Sequence, residues 1–117
     1  MKRIITHPLC MAGSDGNALS LTSGSGSTHP RAFGAVAKFI RLKLDAGENI
    51  RNVVASVTST PAEFFNLPDI GILSAGKKAD ITVFSPEEID SPADFPDPHR
   101  PADGVRLSLF NGEATFF

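Results

Sequence analysis

The pattern of apolar residues predicts three helices in the middle of the chain. From residue 30 to residue 44, apolar side chains recur at the spacings of three and four that mark one helix face: Phe33, Val36, Ala37, Ile40 and Leu44. Asn49 is a typical N-cap and precedes a second stripe at i, i+3, i+4 and i+7: Ile50, Val53, Val54 and Val57. A third, short helix is predicted to start at Thr60-Pro61, with an apolar face formed by Phe64, Phe65 and Leu67.

Strand patterns occur on either side of these helices. Residues 9–12, LCMA, form a short apolar run that ends in Gly13-Ser14-Asp15-Gly16, which predicts a buried strand breaking into a loop. Residues 81–84, ITVF, predict a second strand. Residues 105–110 alternate apolar and polar side chains and lead into Asn111-Gly112, a strong hairpin signal. Between these strands, the proline-rich residues 85–104 predict an extended surface loop.

Length and composition restrict the class of protein. The chain has 117 residues, which suits one domain and is too short for a complete (β/α)₈ barrel of about 250 residues. Its 11 basic and 13 acidic residues give no electrostatic footprint for nucleic acid, and one cysteine excludes an internal disulfide. We expect no membrane association and a cytoplasmic location, since no apolar run approaches the ~18–20 residues of a membrane span and no signal peptide is apparent.

Two positions are candidates for chemistry. Asp15 follows the predicted strand between two glycines, and an aspartate at the carboxyl end of a barrel strand often has a catalytic role. Arg31 precedes the first long helix and can hold a carboxylate through two N–H groups, while His29 beside it can polarise a carbonyl or orient a neighbour. An ordinary Asp-Gly turn, an exposed arginine and a capping histidine are the alternatives. The three histidines show no metal-ligand spacing.

Several segments taken together resemble the amidohydrolase superfamily. Residues 71–84, GILSAGKKADITVF, resemble its G-x-L/I-x-x-G-x-x-A-D strand, which leads from a metal-dependent barrel into a small β-sandwich. The turn at Asn111-Gly112 resembles the hairpin that closes that sandwich. Residues 7–16, HPLCMAGSDG, followed by His29-Pro30-Arg31, resemble one branch, the N-acyl-D-amino-acid deacylases or D-aminoacylases. The similarity extends in order through nearly the whole chain.

This resemblance implies an α/β fragment, the C-terminal portion of such an enzyme. Residues 1–67 would supply the last strand, an active-site loop and the outer helices of the metal-dependent-hydrolase (β/α)₈ barrel. Residues 68–117 would supply the C-terminal strands of the small composite β-sandwich, with the proline-rich loop and the hairpin. Residues 19–28, whose composition alone predicts a flexible linker, would then be the active-site loop over the barrel mouth.

The same resemblance implies a function and a role for each candidate residue. The complete enzyme would use zinc to hydrolyse the amide of N-acyl-D-amino acids. Asp15 matches the aspartate that handles protons at the metal-bound water, and is also a candidate metal ligand. Arg31 matches the arginine that binds the substrate's α-carboxylate, with His29 in the same substrate site. The family's other zinc ligands have no counterpart here, so we expect the isolated chain to bind no zinc and to be inactive.

The expected partners are the N-terminal barrel portion or a second copy of the chain in a domain-swapped oligomer, with the small-molecule substrate in the complete enzyme. Two other hypotheses remain open at this point. One is a non-catalytic binding or self-associating module derived from the same segment. The other is part of a cyclic amidase of the dihydroorotase or hydantoinase type, against which the His29-Pro30-Arg31 element argues.

Overall fold

A computed structural model describes residues 2–16 and 28–115, and in these residues helices precede an antiparallel sheet. The elements in chain order are α1 Lys2–Ile5, α2 Arg31–Asp45, α3 Ile50–Ala55, α4 Ser59–Phe64, β1 Ile81–Phe84, β2 Val105–Phe110 and β3 Glu113–Thr115. The chain is therefore of the α/β class, with a three-stranded sheet.

Helix α2 is the longest element, and its ends follow from local sequence. Pro30 precedes the first helical residue, a position where a missing N–H costs nothing. At the other end Gly47 adopts φ +89°, and its N–H donates to the Leu44 carbonyl at 2.9 Å. The N–H of Glu48 donates to the Lys43 carbonyl at 3.2 Å. These two bonds form a Schellman motif, which ends the helix where the apolar pattern predicted.

The core joins the helices to the proline-rich segment. Its buried residues are Ala37 and Ile40 from α2, Val53 from α3, and Ile89 from the segment predicted to be a surface loop. That prediction was wrong for Ile89, because residues 85–104 pass along α2 and insert this side chain between the helices. The predicted helix face is only partly buried, since Val36 is exposed.

Helices α3 and α4 differ in how well local sequence predicts them. The Asn49 side chain accepts the N–H of Arg51 at 2.9 Å, so the predicted cap of α3 is confirmed. Helix α4 begins at Ser59, one residue before the predicted start. Its predicted apolar side chains are exposed: Phe64, Phe65 and Leu67. Among the described residues nothing covers them, and the two phenylalanine rings pack edge to face at 5.0 Å.

The sheet has the order β1-β2-β3, with both pairs antiparallel. The predicted hairpin between β2 and β3 is confirmed. Its turn residues Asn111 and Gly112 have φ of +52° and +85°, the left-handed values that a tight hairpin turn requires. The turn is tied to the residues before β1, since the Asn111 N–H donates to Asp80 Oδ1 at 2.7 Å and the Gly112 N–H donates to the Ala79 carbonyl at 2.9 Å.

The strand predicted at residues 9–12 does not form. Residues 10–16 are neither helix nor strand, and Leu9 is exposed. A strand is stabilised by ladder hydrogen bonds to a neighbour, and no neighbouring strand lies beside this segment among the described residues. The predicted active-site loop at residues 19–28 lies outside the described residues apart from Thr28.

A buried ion pair lies at the C-terminal end of α2, and its lysine also contacts α1. The Schellman motif brings Glu48 back beside Lys43, and Lys43 Nζ lies 3.1 Å from Glu48 Oε1 and donates to the Ile5 carbonyl at 2.8 Å. Lys43 is only 2% exposed, although the sequence pattern placed it off the apolar face. Among the described residues the buried Glu48 Oε1 accepts no hydrogen bond, so its interaction with the Lys43 ammonium is that of an ion pair.

We expect Lys43→Met to lower the free energy of unfolding by about 3 kcal/mol, because removing one member of a buried pair leaves the other charge uncompensated. The double variant Lys43→Met/Glu48→Gln should recover most of that loss. Urea unfolding followed by circular dichroism measures both. The matched control is Arg106→Met, which breaks the exposed Arg106–Glu88 pair and should cost less than about 1 kcal/mol. Equal losses in Lys43→Met and the control would contradict the prediction.

Candidate functional site

Asp15 and Arg31 meet at the N-terminal end of α2. Arg31 Nη2 lies 3.2 Å from Asp15 Oδ2, so the structure brings together the two residues predicted to handle protons and to bind a carboxylate. The Arg31 side chain is 44% exposed and that of Asp15 is 91% exposed. Exposed pairs of this kind contribute little to stability. A ligand carboxylate can therefore replace Asp15 on the guanidinium at small cost.

The backbone around Asp15 is held against the first turn of α2. Asp15 has φ +48°, a left-handed conformation that aspartate tolerates better than most residues. The following Gly16 N–H donates to Ser14 Oγ at 3.1 Å. A Cβ at Gly16 would lie 3.1 Å from the Ala32 Cα, tighter than most van der Waals contacts, so glycine permits this close approach. The glycine therefore allows the loop to approach the helix that carries Arg31.

His29 satisfies two backbone N–H groups at the start of α2. Its Nδ1 accepts the Arg31 N–H at 3.1 Å, and its carbonyl accepts the Ala32 N–H at 3.0 Å. The first N–H groups of a helix have no partner within the helix, so this residue completes the first turn. Because Nδ1 acts as an acceptor, the neutral ring carries its proton on Nε2. His29 is exposed and lies two residues from the candidate carboxylate-binding group.

Residues 89–100, which we call the strap, run along α2 toward this site. Lys38 Nζ contacts both Asp90 carboxylate oxygens, at 2.9 and 3.2 Å. One turn closer to the helix start, Gly34 packs directly on Ser91. These contacts fix the direction of the strap, which passes from the middle of α2 toward its N-terminal end.

The far end of the strap reaches the candidate site. The His99 ring lies 5.1 Å from the Phe33 ring, and its Nε2 is 3.2 Å from Thr28 Oγ1. The Phe95 ring meets the His29 ring edge to face at 5.0 Å. Apolar periodicity predicted neither Phe95 nor His99 as part of the site. The one sequence signal that could have found His99 is the Asp97-Pro98-His99 element, which resembles the deacylase branch.

The Lys38–Asp90 pair changes the pKa of the Asp90 carboxyl. Partial burial acts to raise the pKa of Asp90, but the Lys38 ammonium and the Ser91 N–H, which donates to Oδ1 at 2.7 Å, outweigh it. The pKa of this carboxyl is therefore held below its ordinary value of 3.8. A carboxyl whose pKa is lowered by folding stabilises the folded state only while it is ionised.

We expect Asp90→Asn to lower the free energy of unfolding at pH 7, by less than about 1 kcal/mol because the pair is partly exposed. This difference should disappear as the pH falls below 3.8, since protonation of the native carboxyl then removes the same charge. Urea midpoints measured across this pH range test the prediction. The difference in unfolding free energy between Lys38→Met and the unmodified chain should disappear over the same pH range. A difference that persists undiminished to about pH 2 would contradict this account.

The contact between Gly34 and Ser91 gives a second prediction. In an unpacked helix, Gly→Ala stabilises by about 1 kcal/mol. Here the new Cβ would lie 1.7 Å from Ser91 Oγ and 2.4 Å from Ser91 Cβ, so we expect Gly34→Ala to destabilise the chain. The double variant Gly34→Ala/Ser91→Gly removes both clashing atoms and should be at least as stable as the unmodified chain. Urea unfolding of both variants decides, and a stabilised single variant would show that the strap does not pack on α2.

The side chains described here form no metal site of their own. Within residues 2–16 and 28–115, no group of three or more His, Cys, Asp or Glu side chains lies close enough to hold a metal ion. Asp15 carries an exposed carboxylate, a kind of oxygen ligand that zinc accepts. None of the helices in the described part of the chain is long and apolar enough to cross a membrane.

Comparisons with known proteins agree on the family. The profile of the amidohydrolase family matches residues 1–116, so the chain belongs to that family. N-acyl-D-glutamate deacylase of Alcaligenes xylosoxydans xylosoxydans is 31% identical over 118 residues, which covers 99% of this chain and 23% of that protein. N-acyl-D-aspartate deacylase from the same organism is 26% identical over 114 residues, covering 96% of this chain and 22% of that protein.

Solved structures give the same result. N-acyl-D-glutamate deacylase from Bordetella bronchiseptica, in complex with zinc and a phosphonate mimic of the tetrahedral intermediate, matches with a TM-score of 0.84 and 32% identity. The match covers 98% of this chain and 24% of the Bordetella protein's chain. A D-aminoacylase structure concerned with the role of its binuclear metal centre matches with a TM-score of 0.82 and 28% identity over the same fractions. The chain thus corresponds to about a quarter of the length of these enzymes.

Proposed function

We propose that this chain is the C-terminal segment of an N-acyl-D-amino-acid deacylase and supplies two side chains to its active site. The contact between Asp15 and Arg31 carries the proposal, because it joins a carboxylate and a guanidinium in a chain that matches deacylases over nearly its whole length. Residues 1–67 would complete the barrel and residues 68–117 the small sandwich. The other three quarters of the enzyme would provide the remaining active-site residues.

Arg31 is assigned to substrate binding. A guanidinium presents two parallel N–H groups that match a carboxylate, and every N-acyl-amino acid carries an α-carboxylate. Since the Asp15–Arg31 pair is exposed, the substrate carboxylate can displace Asp15 from the guanidinium. His29, two residues away, would lie in the same substrate site. Binding would thereby release the Asp15 carboxylate for proton transfer.

Asp15 is assigned to proton transfer. In the complete enzyme zinc would polarise the scissile carbonyl and activate the attacking water, with Asp15 as one candidate ligand. The Asp15 carboxylate accepts a proton from that water as the C–O bond forms. It then returns the proton to the amide nitrogen as the C–N bond breaks, which releases a carboxylic acid and a D-amino acid. The described residues offer one candidate zinc ligand, Asp15, so we expect the isolated chain to be inactive.

An exposed apolar surface supports a partner in the complete enzyme. A cleft of about 730 Å³ lies between α3, α4 and β1, and its lining is mainly apolar, including Ile50, Val54, Phe65, Leu67, Ile72 and Ile81. Contiguous apolar surface of this kind usually marks an interface. We assign this cleft to contact with the remaining three quarters of the deacylase. The chain spans only about a quarter of the length of its relatives.

A chimera tests this function. Residues 1–117 would replace the matching segment of the Alcaligenes N-acyl-D-glutamate deacylase, and hydrolysis of N-acyl-D-glutamate, N-acyl-D-aspartate and a neutral N-acyl-D-amino acid would be followed. We expect zinc-dependent turnover. Asp15→Asn should lower kcat at least ~100-fold, as expected for loss of a proton-transfer group, and Arg31→Met should act mainly on KM.

The controls separate failure to fold from failure of the proposal. Zinc content and a cooperative unfolding transition show whether the chimera is folded. A folded, zinc-loaded chimera without activity would overturn the proposal, as would full activity in Asp15→Asn. The isolated chain should not turn over any of the three substrates with added zinc. If it forms a stable dimer that binds no deacylase remainder, the self-associating module is the better account.

A further inference from the structure

The tip of the strap presents Phe95 from a closed turn. The Asp97 N–H donates to Asp94 Oδ1 at 2.8 Å, and the Asp94 N–H donates to the Asp97 carbonyl at 3.3 Å. These reciprocal bonds fix the turn that contains Phe95. The Phe95 side chain is 74% exposed, and its ring contacts that of His29. A large apolar side chain in an ordered turn with so little burial contributes little to the core, so its position calls for another explanation.

The strap is anchored close to this turn on both sides. On one side Lys38 holds Asp90, and Ser91 packs on Gly34. On the other side His99 packs on the Phe33 ring. Because both anchors lie on α2, the turn keeps a fixed position relative to the start of that helix.

His29 connects this turn to Arg31. Its ring contacts Phe95, and its Nδ1 accepts the Arg31 N–H. We propose that Phe95 and His29 are positioning residues for Arg31. The Phe95 ring holds the imidazole in the orientation that accepts the Arg31 N–H, and this bond fixes where α2 begins. The role in catalysis rests on the proposed function, because there Arg31 binds the substrate carboxylate.

The start of the helix determines where the guanidinium lies. Each residue of an α-helix advances about 1.5 Å and turns about 100°, so fraying of the first residue moves the Arg31 side chain by ångströms. Displacement of a binding group by about 1 Å can lower the rate on the order of 100-fold. Without the bond from His29, the Arg31 N–H would lose its acceptor, and the hydrogen bonds of the helix would begin at the Ala32 N–H.

The first test uses the 117-residue chain and needs no activity. Amide hydrogen exchange by NMR reports whether the Arg31 N–H is held, and ring ¹⁵N shifts report whether His29 keeps its proton on Nε2. We expect Phe95→Ala to accelerate exchange at Arg31 on the order of 10-fold, as for loss of a local hydrogen bond, without changing exchange at Val53 in the core. Phe95→Leu keeps part of the contact and should show a smaller effect.

Phe64→Ala is the matched control, since Phe64 is similarly exposed, at 70%, but lies on α4 and packs on Phe65. It should leave exchange at Arg31 unchanged. His29→Asn retains a side-chain acceptor and should protect the Arg31 N–H better than His29→Leu. Unchanged exchange at Arg31 in both Phe95→Ala and His29→Leu would overturn the proposal.

The second test uses the active chimera with two substrates, an N-acyl-D-amino acid and the matching N-acyl amine without the α-carboxylate. A positioning role for Arg31 predicts that Phe95→Ala lowers kcat/KM about 10-fold for the first substrate and leaves the second unchanged. His29→Leu should lower kcat/KM more for the first substrate than for the second. In an Arg31→Met background, Phe95→Ala should have no further effect. His29→Asn should restore most of the preference for the substrate that carries the α-carboxylate.

The two proposals fail in distinguishable ways. Equal losses on both substrates would show that Phe95 and His29 are merely structural, and would overturn the positioning role in catalysis. If Arg31→Met lowers kcat/KM equally for both substrates, the proposed carboxylate-binding function fails. The exchange experiment would then still decide whether the strap fixes the start of α2.

Discussion

The contact between the strap and helix α2 is the interaction on which the rest of the structure depends. It inserts Ile89 beside Ala37 and Ile40, and so gives the helical and the strand-bearing parts of the chain one shared core. The Lys38–Asp90 pair then fixes the strap along the helix. Because burial of apolar surface is the main stabilising term in folding, a chain with few fully buried residues relies heavily on this one interface.

Two ion pairs at opposite ends of α2 show how environment determines the role of the same chemistry. Lys43 and Glu48 are removed from water, so their charges must remain paired and the contact is structural. Arg31 and Asp15 are largely in water, so their contact is weak and either partner can be exchanged for a ligand. The helix thus has a stable C-terminal end and an N-terminal end that is available for chemistry, and the strap reinforces the second.

Membership of the amidohydrolase family accounts for features that are unexpected in a small independent domain. Phe64, Phe65 and Leu73 are exposed, and the segment before Asp15 lacks the strand that its apolar run predicts. Both observations are consistent with a chain that spans about a quarter of the length of its relatives. Phe65 and Leu73 line the cleft that we assign to contact with the rest of a deacylase.

The sequence alone determined the features that depend on near neighbours along the chain. These are helix α2 and its glycine-containing end, the Asn49 cap, the Asn111-Gly112 turn and the motifs that identify the family. Only the tertiary structure decided that Lys43 is buried, that Ile89 enters the core, and that Phe95 lies against His29. Helical periods and turns arise from interactions a few residues apart, which a pattern records. Contacts between distant residues depend on the path of the whole chain, and no local pattern specifies that path.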